Sequence, residues 1–184
     1  MEPFPAHYHC EVADISPRAA DYENTEHDGF DVSSFFIVPP EADPYTLAVH
    51  GEKGGWGGLD VVLTGPSPTQ LCIVIGGILY IGDVNSPQSF TYIPASRNHI
   101  FEYAVSVEDR VIVFSTHTNL FAVDSSGVRW ESEPIHGCCF DLRDHRIDNG
   151  ILYIGVDVPG LLLEDLAVDL KTGKISGGER LFHQ

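Results

Sequence analysis

Six short stretches carry the residue types that could do chemistry. His7-Tyr8-His9-Cys10 and His136-Gly137-Cys138-Cys139 each place three metal-ligating side chains within four residues. Strand alternation brings His7 and His9 to one face, as a metal site at a sheet edge requires. Neither cluster has the paired Cys-x-x-Cys or His-x-x-x-His spacing of a structural zinc site. Gly51-Glu52-Lys53-Gly54-Gly55-Trp56-Gly57-Gly58 surrounds one tryptophan with five glycines. A phosphate-binding loop needs a Ser or Thr after its Lys and a helix beyond it, and here a strand pattern follows. The segment reads as a flexible loop that either presents Trp56 as a contact anchor or folds it over a sheet end.

The other three stretches involve hydroxyls and carboxylates. Ser115-Thr116-His117 and Ser132 have no identifiable catalytic partner, and no Gly-x-Ser-x-Gly elbow occurs. Asp141, Arg143, Asp144, His145 and Arg146 form a mixed-sign cluster whose carboxylates and imidazole suit acid–base work. A run of this kind reads first as a solvated hairpin loop. Asp21, Glu23, Glu26, Asp28 and Asp31 fall within eleven residues that hold no Lys or Arg, with Pro17 before them and Gly29 near their end. Its two readings are a solubilising arm and a surface for a basic partner, whose association many negative charges accelerate.

The whole chain shares that charge. Its 184 residues hold 27 acids against 10 Lys and Arg, a net charge of −17. Residues 1–60 carry twelve of the acids and only Arg18 and Lys53, a net charge of −10. This balance argues against a nucleic-acid backbone or an anionic membrane as partner, because both demand a basic face. Residues 61–82 are uncharged, but Pro66, Pro68 and Gly76-Gly77 interrupt them. Their twelve-residue apolar part rises ~18 Å as a helix, short of a ~30 Å bilayer core. With no basic, apolar leader before Arg18, the sequence reads as a cytoplasmic protein with reduced Cys10, Cys72, Cys138 and Cys139.

Elements that would position these residues are short strands. Runs rich in Val, Ile and aromatics at 35–38, 45–50, 59–63, 71–74, 78–81, 90–93, 100–103, 111–115, 120–124, 128–130, 151–156, 166–169 and 174–176 alternate with turn formers. The pattern predicts a mainly β fold with little helix. An acidic N-terminal arm is expected over 1–34, packed on or extending from a single all-β domain over 35–184. Two internal echoes occur. Gly77-Ile78-Leu79-Tyr80-Ile81-Gly82 recurs as Gly150-Ile151-Leu152-Tyr153-Ile154-Gly155, and Ala122-Val123-Asp124 recurs as Ala167-Val168-Asp169. The second pair lies 45 residues apart, near the period of a four-stranded propeller blade.

Residues 111–131 (VIVFSTHTNLFAVDSSGVRWE) resemble the blade repeat of pyrroloquinoline-quinone-type β-propellers. The resemblance extends to about residue 176 and implies that Asp124 caps a hairpin, Gly127 takes its positive-φ corner and Trp130 packs between sheets. In the second copy Asp169, Thr172 and Gly173 match, with Ser176 in place of the tryptophan. It carries the repeat and not the quinone cofactor. Residues 35–184 fall short of four blades of ~40 residues, so antiparallel hairpins stacked as a two-sheet sandwich or a propeller-blade-like array are expected.

These observations converge on a non-enzymatic acidic binding protein, without cofactor or metal, that engages a basic protein such as a toxin or nuclease. An immunity or antitoxin-like inhibitor is its concrete form. Asp21, Glu23, Glu26, Asp28, Asp31 and Trp56 are the expected contact residues. Two rivals remain: a metal-dependent enzyme or small-ligand binder using both His/Cys clusters, and a β-repeat scaffold that binds through sheet edges.

Overall fold

The computed structural model describes residues 3–13, 30–52, 58–134, 139–157 and 164–177. The chain divides into two compact units, Met1–Ile93 and Pro94–Gln184. In the first, strands β1 (His9–Val12), β2 (Phe30–Val38) and β3 (Tyr45–Glu52) form a three-stranded antiparallel sheet in the order β1-β2-β3. Strands β4 (Val61–Thr64), β5 (Gln70–Ile75), β6 (Ile78–Asp83) and β7 (Thr91–Tyr92) form a four-stranded meander. The second unit holds two more such meanders. One contains β8 (Glu102–Ser106), β9 (Val111–Ser115), β10 (Leu120–Asp124) and β11 (Gly127–Glu131). The other contains β12 (Cys139–Asp148), β13 (Ile151–Asp157), β14 (Glu164–Asp169) and β15 (Ile175–Gly177). Two 3-10 turns, Pro87–Ser89 and Pro94–Asn98, complete the regular structure among the described residues. No helix there is long and apolar enough to cross a membrane.

Local sequence explains these strands. β5 and β6 are Val/Ile-rich runs whose branched side chains favour the pleated backbone. Gly76-Gly77 joins them as a two-residue turn closed by the Ile75–Ile78 pair, and both glycines have positive φ, 56° and 78°. That conformation turns the chain with the sheet's own twist, and glycine adopts it at both positions without strain.

Each unit is built from sheets packed face to face. Phe35 and Ile37 of β2 and Val49 of β3 meet Leu71 and Ile73 of β5 in the first core. Burying a side chain of this size stabilises the fold by roughly 1.5–3 kcal/mol. In the second unit Val111, Val113, Leu120 and Ala122 of one meander meet Leu152, Ile154, Leu166 and Val168 of the next. The mainly β fold with stacked antiparallel sheets is therefore as the residue pattern predicts, with the two-sheet stack present once in each unit.

The structure departs from expectation in three places. The 34/35 boundary falls inside β2, whereas buried Phe4 agrees with the packed form of the arm, its N–H donating to Thr64 Oγ1 at 2.9 Å and its carbonyl accepting from the same hydroxyl at 2.8 Å. Acidity marks where solvent reaches the chain, and it does not mark where a sheet begins. Strand β1 was hidden because its exposed residues give no apolar alternation. The Asp141–Arg146 cluster is a bulge inside β12, not a hairpin loop: Asp141 pairs with Gly155, but Arg146 already pairs with Tyr153. Three extra residues are accommodated there, on an edge strand where charge discourages pairing with another chain.

Candidate functional site

Of the expected contact residues, Asp21, Glu23, Glu26, Asp28 and Trp56 lie outside the described residues, as does the side chain of Asp31. The backbone of Asp31 is near the start of β2, opposite Gly51. Register fixes where the flanking chain attaches. β1 ends at Val12, the Ala13 N–H donates to Ser34 O at 2.8 Å, and β2 starts at Phe30, which pairs with Glu52 at the end of β3. Residues 14–29 and residues 53–57 are thus attached to one end of the same sheet.

Charge at this unit is one-sided. Its described residues include Glu11, Asp31, Glu41, Asp43, Glu52, Asp60 and Asp83 and no Lys or Arg. Several carboxylates are held in place. Asp83 accepts the Thr69 hydroxyl at 2.8 Å and the Asn85 N–H at 2.8 Å, and Asp60 accepts the Gly76 N–H at 2.6 Å.

The His/Cys clusters are placed in part. His9 approaches the exposed Glu11 at 3.5 Å, while the His7 N–H donates to Pro68 O at 3.0 Å. Cys10 packs against the apolar core, where burial foremost, and Glu11 next, push its thiol up to about 11. Burial pushes Cys72 up to about 12. Both are free thiols held in the unreactive protonated form at neutral pH. His136 and Cys138 lie outside the described residues, as does the Cys139 side chain. Among the described residues no three His, Cys, Asp or Glu side chains gather in a metal-holding group.

In the β12 bulge the charged groups hold one another. Arg143 donates from Nε and Nη2 to the two Asp141 oxygens, each at 3.1 Å, and its Nε lies 3.0 Å from Glu102 Oε1. The Arg143 side chain, then its backbone N–H, hold the Asp141 carboxyl below its usual range. Glu102 Oε2 accepts the Leu142 N–H at 2.6 Å. His145 Nδ1 lies 2.6 Å from Leu142 O, and since a carbonyl only accepts, Nδ1 carries the proton. The cluster ties β8 to β12; it is organised as a brace.

Asp124 and Asp169 close matching turns. Asp124 Oδ1 accepts the Ser126 N–H at 2.8 Å and the Ser126 hydroxyl at 2.6 Å, and Gly127 follows at φ 112°. Asp169 Oδ1 accepts the N–H groups of Lys171 at 2.8 Å and Thr172 at 2.9 Å, and Gly173 follows at φ 72°. These bonds, the Thr172 N–H first, lower the Asp169 pKa.

Residue-by-residue reading missed two grooves of the second unit. One, of about 320 Å³, lies between Glu131–Glu133 and the turn at Thr172–Lys174. The other, of about 360 Å³, lies over Tyr153, Ala167 and Ser176, which register sets side by side across β13, β14 and β15. Arg146 covers the Tyr153 ring at 4.3 Å. Trp130 Nε1 donates to Leu170 O, 40 residues on, at 2.8 Å, a spacing close to the 45-residue interval of the Asp124/Asp169 echo. No protein-family model and no curated protein matches the chain.

Proposed function

We propose that this chain is a non-enzymatic acidic binding protein of the cytoplasm that engages a basic protein, with an immunity or antitoxin-like inhibitor as its concrete form. The carrying observation is the one-sided charge of the first unit, where residues 1–93 hold thirteen acids against Arg18 and Lys53 alone. Attachment of residues 14–29 and 53–57 to one sheet end supports a contact surface that combines Asp21, Glu23, Glu26, Asp28 and Asp31 with Trp56. Concentrated like charge accelerates encounter with a cationic partner, and a tryptophan beside it supplies the desolvated anchor.

A second reading, a β-repeat scaffold binding through sheet edges, draws on the three four-stranded meanders. Kinship with the quinone-type blade repeat belongs to this proposal, supported by equivalent turns at Asp124 and Asp169. One experiment separates the two readings. The immobilised full chain is exposed to native-host lysate and eluted with stepwise salt, in parallel with a variant carrying Asp21→Asn, Glu23→Gln, Glu26→Gln, Asp28→Asn and Asp31→Asn. A basic protein released at moderate salt, and retained at least tenfold less by the variant, is expected. Retention indifferent to salt and to the five substitutions would favour the scaffold and overturn the acidic-surface reading.

A further inference from the structure

The groove between β11 and the β14–β15 turn has walls of opposite charge. Glu131, Ser132 and Glu133 form one wall, and Thr172, Gly173 and Lys174 form the other, with Ile175 beside them. Both walls are fixed before any ligand arrives. Glu131 Oε1 accepts from Nδ2 of Asn119 at 2.5 Å; Asn119 is 3% exposed, and its own N–H donates to Thr116 Oγ1 at 3.1 Å. The opposite wall is held by Asp169 through the Lys171 and Thr172 N–H groups, and by Trp130 through Leu170 O. A Cβ at Gly173 would stand 2.6 Å from the Trp130 ring, so this wall has one backbone position.

Among the described residues neither Glu133 nor Lys174 has an ion-pair partner. Two acidic residues and a lysine therefore line the same groove with no ion pair among them. A simple cation placed there satisfies the first wall but is repelled by Lys174, and a simple anion meets the converse. A molecule carrying both charges satisfies both walls. The volume, about 320 Å³, lies at the small end of the ~300–1,000 Å³ range of small-molecule sites.

We propose that this groove binds a small zwitterion of the α-amino acid class, with its ammonium against Glu131 and Glu133, its carboxylate against Lys174 and its apolar substituent toward Ile175. The inference is independent of the acidic surface on the first unit. Because the groove is open and its charges are solvated, affinity is expected in the ~mM range.

Titration of the isotope-labelled full chain tests this with three probes of equal bulk: L-leucine, leucinamide without the carboxylate, and 4-methylpentanoate without the ammonium. L-leucine should move the backbone amides of residues 131–133 and 172–175 saturably, with both single-charge probes at least tenfold weaker. Lys174→Ala should bring L-leucine down to the level of leucinamide. Glu131→Gln, which keeps the oxygen that Asn119 bonds, together with Glu133→Gln should bring it to that of 4-methylpentanoate. Unchanged spectra in tens of millimolar L-leucine, or leucinamide binding as well as L-leucine, would overturn the assignment.

Discussion

Trp130 and Gly173 meet because one backbone position lacks a side chain. The indole is 8% exposed, donates to Leu170 O at 2.8 Å, and has its ring where a Gly173 Cβ would stand. Gly127, at the matching turn, also has positive φ, but a Cβ there would meet nothing within 4 Å. Alanine at either site therefore strains the backbone, and only at Gly173 does it also displace a buried ring. Gly173→Ala is expected to cost about 1–3 kcal/mol through this overpacking and the disfavoured φ. The decisive readout is coupling. In a Trp130→Leu background the cost of Gly173→Ala should fall by at least ~1 kcal/mol, while that of Gly127→Ala stays the same. Urea denaturation of the six chains in this double cycle measures both, and additive costs at Gly173 would refute the contact as the cause. Turn chemistry at Asp124, Gly127 and Gly173 was legible in sequence because each acts on its immediate neighbours. Asn119, in the turn before β10, and Glu131, twelve residues on at the end of β11, gave no such local sign.

At the scale of elements, the tie between β8 and β12 depends on Glu102. Its Oε2 accepts the Leu142 N–H at 2.6 Å and its Oε1 lies 3.0 Å from Arg143 Nε, across 40 residues of sequence. Leu142 is buried in the core, and Glu102 is the partner of its N–H. Glu102→Ala should destabilise the chain by about 1–3 kcal/mol, the cost of an unsatisfied buried donor. Glu102→Gln, which keeps an acceptor oxygen, should cost less than half of that; equal losses would locate the effect in charge rather than in the hydrogen bond. Strands such as β5 and β9 were readable as unbroken apolar runs because they are buried along nearly their whole length. β12 was not, because its bulge interrupts the alternation with three extra residues. The two sequence echoes also differ in kind. Asp124 and Asp169 both end the third strand of a meander, whereas Ile78 begins a third strand and Ile151 a second. The Asp124/Asp169 echo falls at equivalent strand ends, whereas the Gly77/Gly150 echo marks only a tight turn, as Gly76-Gly77 and Asn149-Gly150 each put two positive-φ residues before the strand.

For the molecule as a whole, charge works against compactness. A net charge of −17 on 184 residues repels itself, and residues 1–93 concentrate it with thirteen acids against two bases. Among the described residues, ion pairs do little to offset this. Arg143 serves Asp141 and Glu102, while Arg129 with Asp124 and Arg146 with Asp148 are looser contacts at 3.9 and 3.8 Å. All involve groups in contact with solvent, a setting where such pairs contribute ~0–1 kcal/mol. Screening should then stabilise the fold, because it weakens long-range repulsion more than it weakens these few close pairs. Raising ionic strength from about 0.01 M to about 0.15 M shortens the Debye length from ~30 Å to ~8 Å, below the span of either unit. The urea midpoint at pH 7 should rise over that interval, and the rise should shrink in the variant with residues 21, 23, 26, 28 and 31 neutralised. A midpoint that falls with salt would mean that the close pairs outweigh the repulsion.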